Sequence, residues 1–587
     1  MNENPDRSSV ARREDGGLPG QIIMHSSITV SLPRVGIHLR AAFLILLLCG
    51  LPQLSVGETV FVRGGAAIGG VGDVEIRRGE ERLATREIAL SGGRRIIEFD
   101  WQPRKTYEFR VGNLRQTLRA PLRPTPYLVQ TVPLEDVSGA AIGGVTPDAV
   151  AKFSPDGRRL AVGTYGGWLR IVDCHDGVVL HRRRIAEGMV KTLAWSPDGS
   201  LLYVGEQSPD ALLTALDCQA RDGRAATYDV AWSARLADWI ETSRPAAGDR
   251  YGIYSLPAVF DLKVAADGRI FAAGAHGWSV EGEPRNRSVL CCFDGVGAPL
   301  WRQPPNGAHP VVIRHMAIDA AGSKLLLLAN QTQPSSGDEK LRPDTLYLLD
   351  GHTGAIAAER PLEPLRPHFD RVDAWDSVAL SAAGARAAIG LGDGRGLLFD
   401  TSGGLSPLME LDLASPIVVG TTPLAAAASY TRCCGALLVW QTQNTHIPFG
   451  SPQAANRAPA AHRGANVLTV TDLDGRALWK YRGPYSLSGA WCDAPRDGDP
   501  RWLAVPCREL PGAEAGQFGA LLFDLSAVAT NAVRGGGDRL TYYYSTTGPA
   551  LAGDVSADGR LLAVVETPVP AADGQQLNGA HQIHIVR

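Results

Sequence analysis

The chain has 587 residues, a formal net charge of −3, and 66 Gly, 39 Pro and 12 Trp. Length alone allows about three to four domains. The small charge excludes a general basic surface for nucleic acid and an acidic tail, while the Gly and Pro content suits many short strands joined by tight turns.

Residues 1–33 are polar and aperiodic and include a second methionine, Met24, so they read as a disordered or mis-assigned start. Residues 34–57 follow the order of a secretory signal peptide. Arg34–Arg40 is basic, Ala41–Leu54 is apolar, and Ser55-Val56-Gly57 supplies small residues before Glu58. The apolar run is shorter than the ~20 residues of a spanning helix. Leu48 before Cys49 departs from a lipidation box, which needs a small residue there. The sequence therefore predicts a bacterial exported protein, periplasmic, cell-surface or extracellular. It predicts no membrane span once this segment is removed.

From 58 to 120 the pattern is short strands, among them the period-two segment TYEFRV, Thr106–Val111. This predicts a small β-sandwich-like module. Such a module is marginal alone. The Pro-rich stretch 121–126 reads as a stiff linker.

From 127 to 587 one unit recurs. Its first turn is Ser154-Pro-Asp-Gly157, repeated as Ser196-Pro-Asp-Gly199, Ala265-Ala-Asp-Gly268, Asp319-Ala-Ala-Gly322, Ser381-Ala-Ala-Gly384 and Ser556-Ala-Asp-Gly559. Weaker copies are Arg432-Cys-Cys-Gly435 and Arg496-Asp-Gly498. Pro and Gly supply the dihedrals of the turn. An apolar strand follows each turn, then a strand ending in Asp, such as LRIVD173 or LYLLD350, and then a Gly turn into a last strand. The strands are nearly continuous in apolar residues, so both faces of each sheet should be buried, as stacked blades require. The expectation is an all-β protein, an eight-bladed β-propeller, with seven blades as the alternative count. The last unit, ending Ile583-His-Ile-Val586, lacks a fourth strand, and Tyr127–Val132 is the natural donor for N-to-C strand closure.

SPDGRRLAVG and SPDGSLLYVG resemble the WD40-like propeller repeats of bacterial exported proteins. DLDGRALWKY, DGVGAPLWR and DGHTGAIAAER resemble the Asp…Gly…Trp turn of PQQ-like, quinoprotein-type repeats. The resemblance covers 127–587 and implies a propeller, a superfold that hosts unrelated functions.

The SPDG-type and Asp-type turns share one rim, and most long connections fall on the other. Insertions gathered on one face of a repeat array mark a binding face. The aromatic and histidine candidates there are Trp239, Tyr251, Tyr254, His276, Trp278, His368, Trp375 and His446. No Cys-x-x-Cys-His, Gly-x-Ser-x-Gly, His-Glu-x-x-His or phosphate loop occurs. Two vicinal cysteine pairs, Cys291-Cys292 and Cys433-Cys434, bear on the PQQ resemblance, since PQQ alcohol dehydrogenases carry an adjacent-Cys disulfide against the cofactor. One pair lies in a strand and the other replaces a turn, so neither suits a cofactor floor.

The sequence thus predicts a non-enzymatic exported propeller, a binding or scaffold protein whose long-loop rim takes a protein, glycan or surface partner. It predicts no nucleic-acid partner, no metal site and no cofactor. One alternative is a propeller enzyme, a lyase, hydrolase or quinoprotein-like dehydrogenase using PQQ with calcium, with Lys191, Arg314 and Asp376 at its channel mouth. Another is a structural component of an envelope or extracellular assembly.

Overall fold

In the computed structural model the described residues lie between 59 and 587. Residues 1–58 are outside them, as are 120–128, 143–148, 243–255, 331–343, 364–377, 446–461, 483–490, 493–501, 508–517, 529–539 and some shorter stretches. The signal-like segment, the linker and the binding-face candidates Tyr251, Tyr254, His368, Trp375 and His446 fall outside the described residues. Compactness divides the chain into Met1–Ser55 and Val56–Arg587, and every described residue belongs to the second unit. No helix among the described residues is long and apolar enough to cross a membrane.

Two four-stranded sheets form between 59 and 119. One is ordered Ala66–Gly69, Thr59–Val62, Arg94–Phe99, Thr85–Ala89, and the other Glu81–Arg82, Val74–Arg78, Thr106–Val111, Leu114–Arg119. The alternation of TYEFRV buries Tyr107 and Phe109. Both rings meet Phe99 edge-on, with centroids 5.1 and 5.7 Å away, a favoured aromatic geometry. The buried Tyr107 hydroxyl accepts the Gln102 amide at 2.6 Å.

The rest of the described chain is a succession of antiparallel sheets. The first unit holds Ala149–Phe153, Arg159–Thr164, Trp168–Asp173 and Val179–Arg184; the second, Met189–Trp195, Leu201–Gln207, Leu212–Asp217 and Val230–Arg235. The third holds Ala258–Val264, Ile270–Val280, Glu283–Phe293 and Pro299–Gln303; the fourth, Val312–Ile318, Lys324–Asn330, Thr345–Asp350 and Ile356–Pro361. The fifth holds Val378–Leu380, Arg386–Gly390, Arg395–Asp400 and Ser406–Asp412. The sixth has five strands, Ile417–Val419, Thr422–Cys434, Leu437–Thr445, Val467–Asp472 and Ala477–Arg482. The seventh holds Trp491–Cys492, Trp502–Cys507, Gly519–Asp524 and Leu540–Ser545. The eighth joins Ala550–Val555, Leu562–Glu566 and Gln582–Val586 to the early strand Val129–Pro133, with Ile583 opposite Val132.

The first strands of the first five units lie beside one another in sequence, and Ala550–Val555 lies beside Ala149–Phe153. Each seam is an apolar layer. Leu169, Ile171, Val190, Leu202 and Val204 fill the one between the first and second units; Leu213, Val259, Ile270, Val289 and Phe293 fill the next. A sheet covered on both faces cannot alternate apolar with polar residues, which is why LLYVG and KLLLLA are unbroken. Each such side chain contributes about 1.5–3 kcal/mol when fully buried.

The SPDG turns satisfy themselves. The Ser154 hydroxyl donates to Asp156 at 2.6 Å and accepts the Arg159 amide at 2.9 Å, while Asp156 accepts the Arg158 amide at 3.0 Å. The same three contacts recur around Ser196 and Asp198, and around Ser556 and Asp558. Gly157, Gly199 and Gly559 close these turns at φ of 68°, 70° and 67°, a region that favours glycine. Cations at the start of second strands then reach the turns of the next unit. Arg159 donates to the carbonyls of Cys218 and Gly199, Arg269 to those of Gly351 and Ala321, and Lys324 to those of Gly384 and Thr401. In the sixth unit the strand runs on to Cys434 and turns at Gly435-Ala436. The vicinal cysteines therefore end a strand, where the sequence placed them in the turn.

Candidate functional site

The rim opposite the SPDG turns is described best where the second unit meets the third. Here the short helix Ala237–Ile240 buries Ala237 and Ile240. It packs on the hairpin Ile270–Val280 and Glu283–Phe293, whose strands have eleven residues each, against six in the second strand of the first unit. Five further residues extend a strand by about 16 Å. Near its tip, the rings of His276 and Trp278 stack with centroids 4.7 Å apart at 26°. The Thr242 hydroxyl lies 2.8 Å from His276 Nδ1, and Arg287 forms an ion pair with Glu241. Glu241 adopts φ of 57°, a left-handed conformation for a non-glycine residue.

Three predicted residues thus come together on one hairpin and its covering helix, but they differ in setting. Trp239 is half-buried, with its ring stacked on Phe293 at 5.6 Å. His276 and Trp278 are half-buried around the exposed Gly277. Sequence reasoning missed Thr242, whose hydroxyl meets His276, and the ion pair of Glu241 with Arg287, the residue opposite His276. Their signal is faint, because spacing does not show which side chains an irregular segment turns toward a hairpin.

The same rim carries two buried carboxylates that the sequence did not single out. Glu206 and Glu566 lie in the last two residues of second strands, ten residues after Ser196 and Ser556, the same position of the repeat. Glu566 Oε1 accepts the Thr547 hydroxyl at 2.6 Å and the Ala580 amide at 3.2 Å. Its Oε2 accepts Gln582 Nε2 at 2.9 Å and lies 2.7 Å from His584 Nε2. The Tyr544 hydroxyl sits 3.0 Å from His584 Nδ1. Burial alone would raise the Glu566 carboxyl, but the hydrogen bonds from His584, Thr547 and Gln582 outweigh it and hold the pKa at about 2. Glu206 has the Ser208 hydroxyl at 2.5 Å and the Leu212 amide at 3.3 Å. There burial wins, and the carboxyl is pushed up to about 7.

The channel-mouth candidates are not gathered into one set by the described residues. Lys191 lies over the Phe260 ring at 5.7 Å, and neither Asp376 nor the Arg314 side chain is among the described groups. No group of three or more His, Cys, Asp or Glu side chains set to hold a metal ion occurs among the described residues. Cys291 and Cys292 are buried free thiols, and they serve opposite seams, one toward the second unit and one toward the fourth. They do not form the adjacent-Cys disulfide that the PQQ resemblance implies.

Cavities lined by described residues open on seams. One of about 590 Å³ lies on the turn rim between the first and second units, beside Arg158, Arg159 and Tyr228. One of about 630 Å³ lies between the fourth and fifth units, beside Arg360, Arg395 and Met409. In the first, Tyr228 adopts φ of 57°.

Sheets that follow one another seam to seam, with adjacent first strands, define the class: a β-propeller. No protein-family model matches the sequence, and no curated protein is similar to it. Among solved structures, the chain is similar to BamB from Moraxella catarrhalis at 13% identity, covering 76% of this chain and 99% of that one, with a TM-score of 0.41. It is similar to the C-terminal WD40 domain of Sif2 at 10% identity, covering 75% and 96%, with a TM-score of 0.43. It is similar to the Dos1 propeller at 10% identity, covering 75% and 76%, with a TM-score of 0.36.

Proposed function

We propose that the protein is an exported, non-enzymatic β-propeller of eight blades that binds a protein, glycan or surface partner through the rim opposite its SPDG turns. The observation that carries the reading is the long hairpin with its stacked His276–Trp278 pair, with the Thr242 hydroxyl against His276 and, opposite it on the paired strand, Arg287 in its ion pair with Glu241. Preorganised aromatic side chains supply contact area at low entropic cost, which is what binding surfaces select. The succession of eight repeat units, the second and third of them joined into one sheet where Gln207 pairs with Ala258, supports the blade count, and the pairing of Val129–Pro133 with Gln582–Val586 supports closure of the ring. The signal-like order of 34–57 supports export. The reading invokes no cofactor.

The test uses the purified full chain, immobilised, against soluble envelope proteins, peptidoglycan and lipopolysaccharide. A component held by the wild type should lose about tenfold or more in affinity for Trp278→Ala, and less for His276→Ala. Equal affinity of wild type and Trp278→Ala for the component they retain would overturn this face as the binding surface.

A further inference from the structure

Cys434 is disulfide-bonded and fully buried. The chain has nine cysteines. Cys174, Cys218, Cys291, Cys292 and Cys507 are free thiols. Cys433 keeps its thiol, which donates to the Gly435 carbonyl at 3.4 Å and packs in the seam toward the fifth unit. That leaves Cys49 and Cys492. On the export reading, Cys49 is removed with the signal-like segment 34–57. Cys492 lies in the first strand of the seventh unit, directly opposite Leu503. Leu503 and Val505 share one apolar layer with Cys434, the seam between the sixth and seventh units.

We infer that Cys434 is bonded to Cys492, a covalent staple between two neighbouring units of the ring. Cys434 ends the strand Thr422–Cys434 and Cys492 ends Trp491–Cys492, so the bond closes a loop of the intervening chain between two neighbouring units, which restricts the unfolded state. The chemistry balances as a thiol–disulfide exchange. The two thiols become one disulfide, and two electrons and two protons pass to a protein disulfide oxidant, which is left as a dithiol. Such oxidants belong to oxidising compartments, so the staple predicts where the chain matures, whichever rim binds a partner.

The test is a peptide map of the full chain, 34–57 included, produced through a bacterial export route. The unfolded protein is alkylated without reduction and cut with trypsin. The expected product joins peptide 433–457 to peptide 483–496, with one alkylated cysteine in the first. The join should survive Cys433→Ser and vanish in Cys434→Ser. Alkylation of Cys492 in the exported wild type overturns the inference, as does a join from Cys434 to any other cysteine. The wild-type map decides the matter even where Cys434→Ser fails to fold. Loss of partner binding by Trp278→Ala has no bearing on this map, so the two readings fail separately.

Discussion

Glu206 and Glu566 occupy one position of the repeat, in the second and eighth units, and their chemistry differs in sign. Both are almost wholly buried. In the eighth unit the neighbouring third strand supplies His584, opposite Val564, and Gln582, opposite Glu566. In the second unit the corresponding residues are Thr214, opposite Val204, and Leu212. Thr214 is too short to reach the carboxylate and Leu212 offers only its amide. A buried carboxylate with four partners stays charged, while one with two shifts toward its neutral form. The repeat position sets burial, and the adjoining strand sets charge.

The largest effect expected is from His584→Ala. It leaves Glu566 charged and buried without its main partner, which costs about 3–5 kcal/mol. The urea midpoint near neutral pH should fall accordingly, and an unchanged midpoint would remove the His584–Glu566 contact from the account of this seam.

Next comes Glu566→Gln, which puts an NH2 where the site offers only donors, a cost of about 1–3 kcal/mol. Its pH signature is specific. The folded pKa of about 2 lies below the ordinary value of 4.5. The stability from Glu566 is therefore complete above 4.5 and drains away as pH falls toward about 2. Wild type should lose stability over that window relative to Glu566→Gln, and parallel profiles would contradict the assignment.

The smallest effect, and the reverse sign, is expected from Glu206→Gln. Here the folded pKa, about 7, lies above 4.5, so stability is complete below 4.5 and is lost as pH rises through about 7. The amide cannot ionise. Glu206→Gln should match wild type within about 1 kcal/mol at pH 5 and exceed it at pH 8–9. Denaturant midpoints at the two pH values read this directly, and a wild type that gains stability toward pH 9 would sink the comparison.

How far the sequence reached can be traced residue by residue. The turn chemistry of Ser154, Asp156 and Gly157 was legible because every partner lies within five residues in the chain. The apolar second and third strands were legible because burial on both faces leaves no polar alternation. Arg159 gave no such signal, since its partners, Cys218 and Gly199, belong to the next unit. The strands Ala66–Gly69 and Glu81–Arg82 carry little strand signal, one for its small residues and one for its charge and brevity. At the candidate site, His276 and Trp278 stood out as aromatic residues in a long connection. Their stacking, and the Thr242 and Arg287–Glu241 contacts, come from three separate stretches of chain. Trp239 looked the same in sequence, yet it stacks on Phe293.

The sequence by itself determined the repeat, its turns and the unbroken apolar strands, because local dihedral preference and burial pattern are written over a few consecutive residues. Tertiary structure decided which strand joins Gln582–Val586, which of two equivalent glutamates keeps its charge, and which cysteine of each vicinal pair faces which seam. Those outcomes depend on groups tens to hundreds of residues apart, as with Thr131 and His584 on paired strands, and only the folded chain brings such groups within hydrogen-bonding distance.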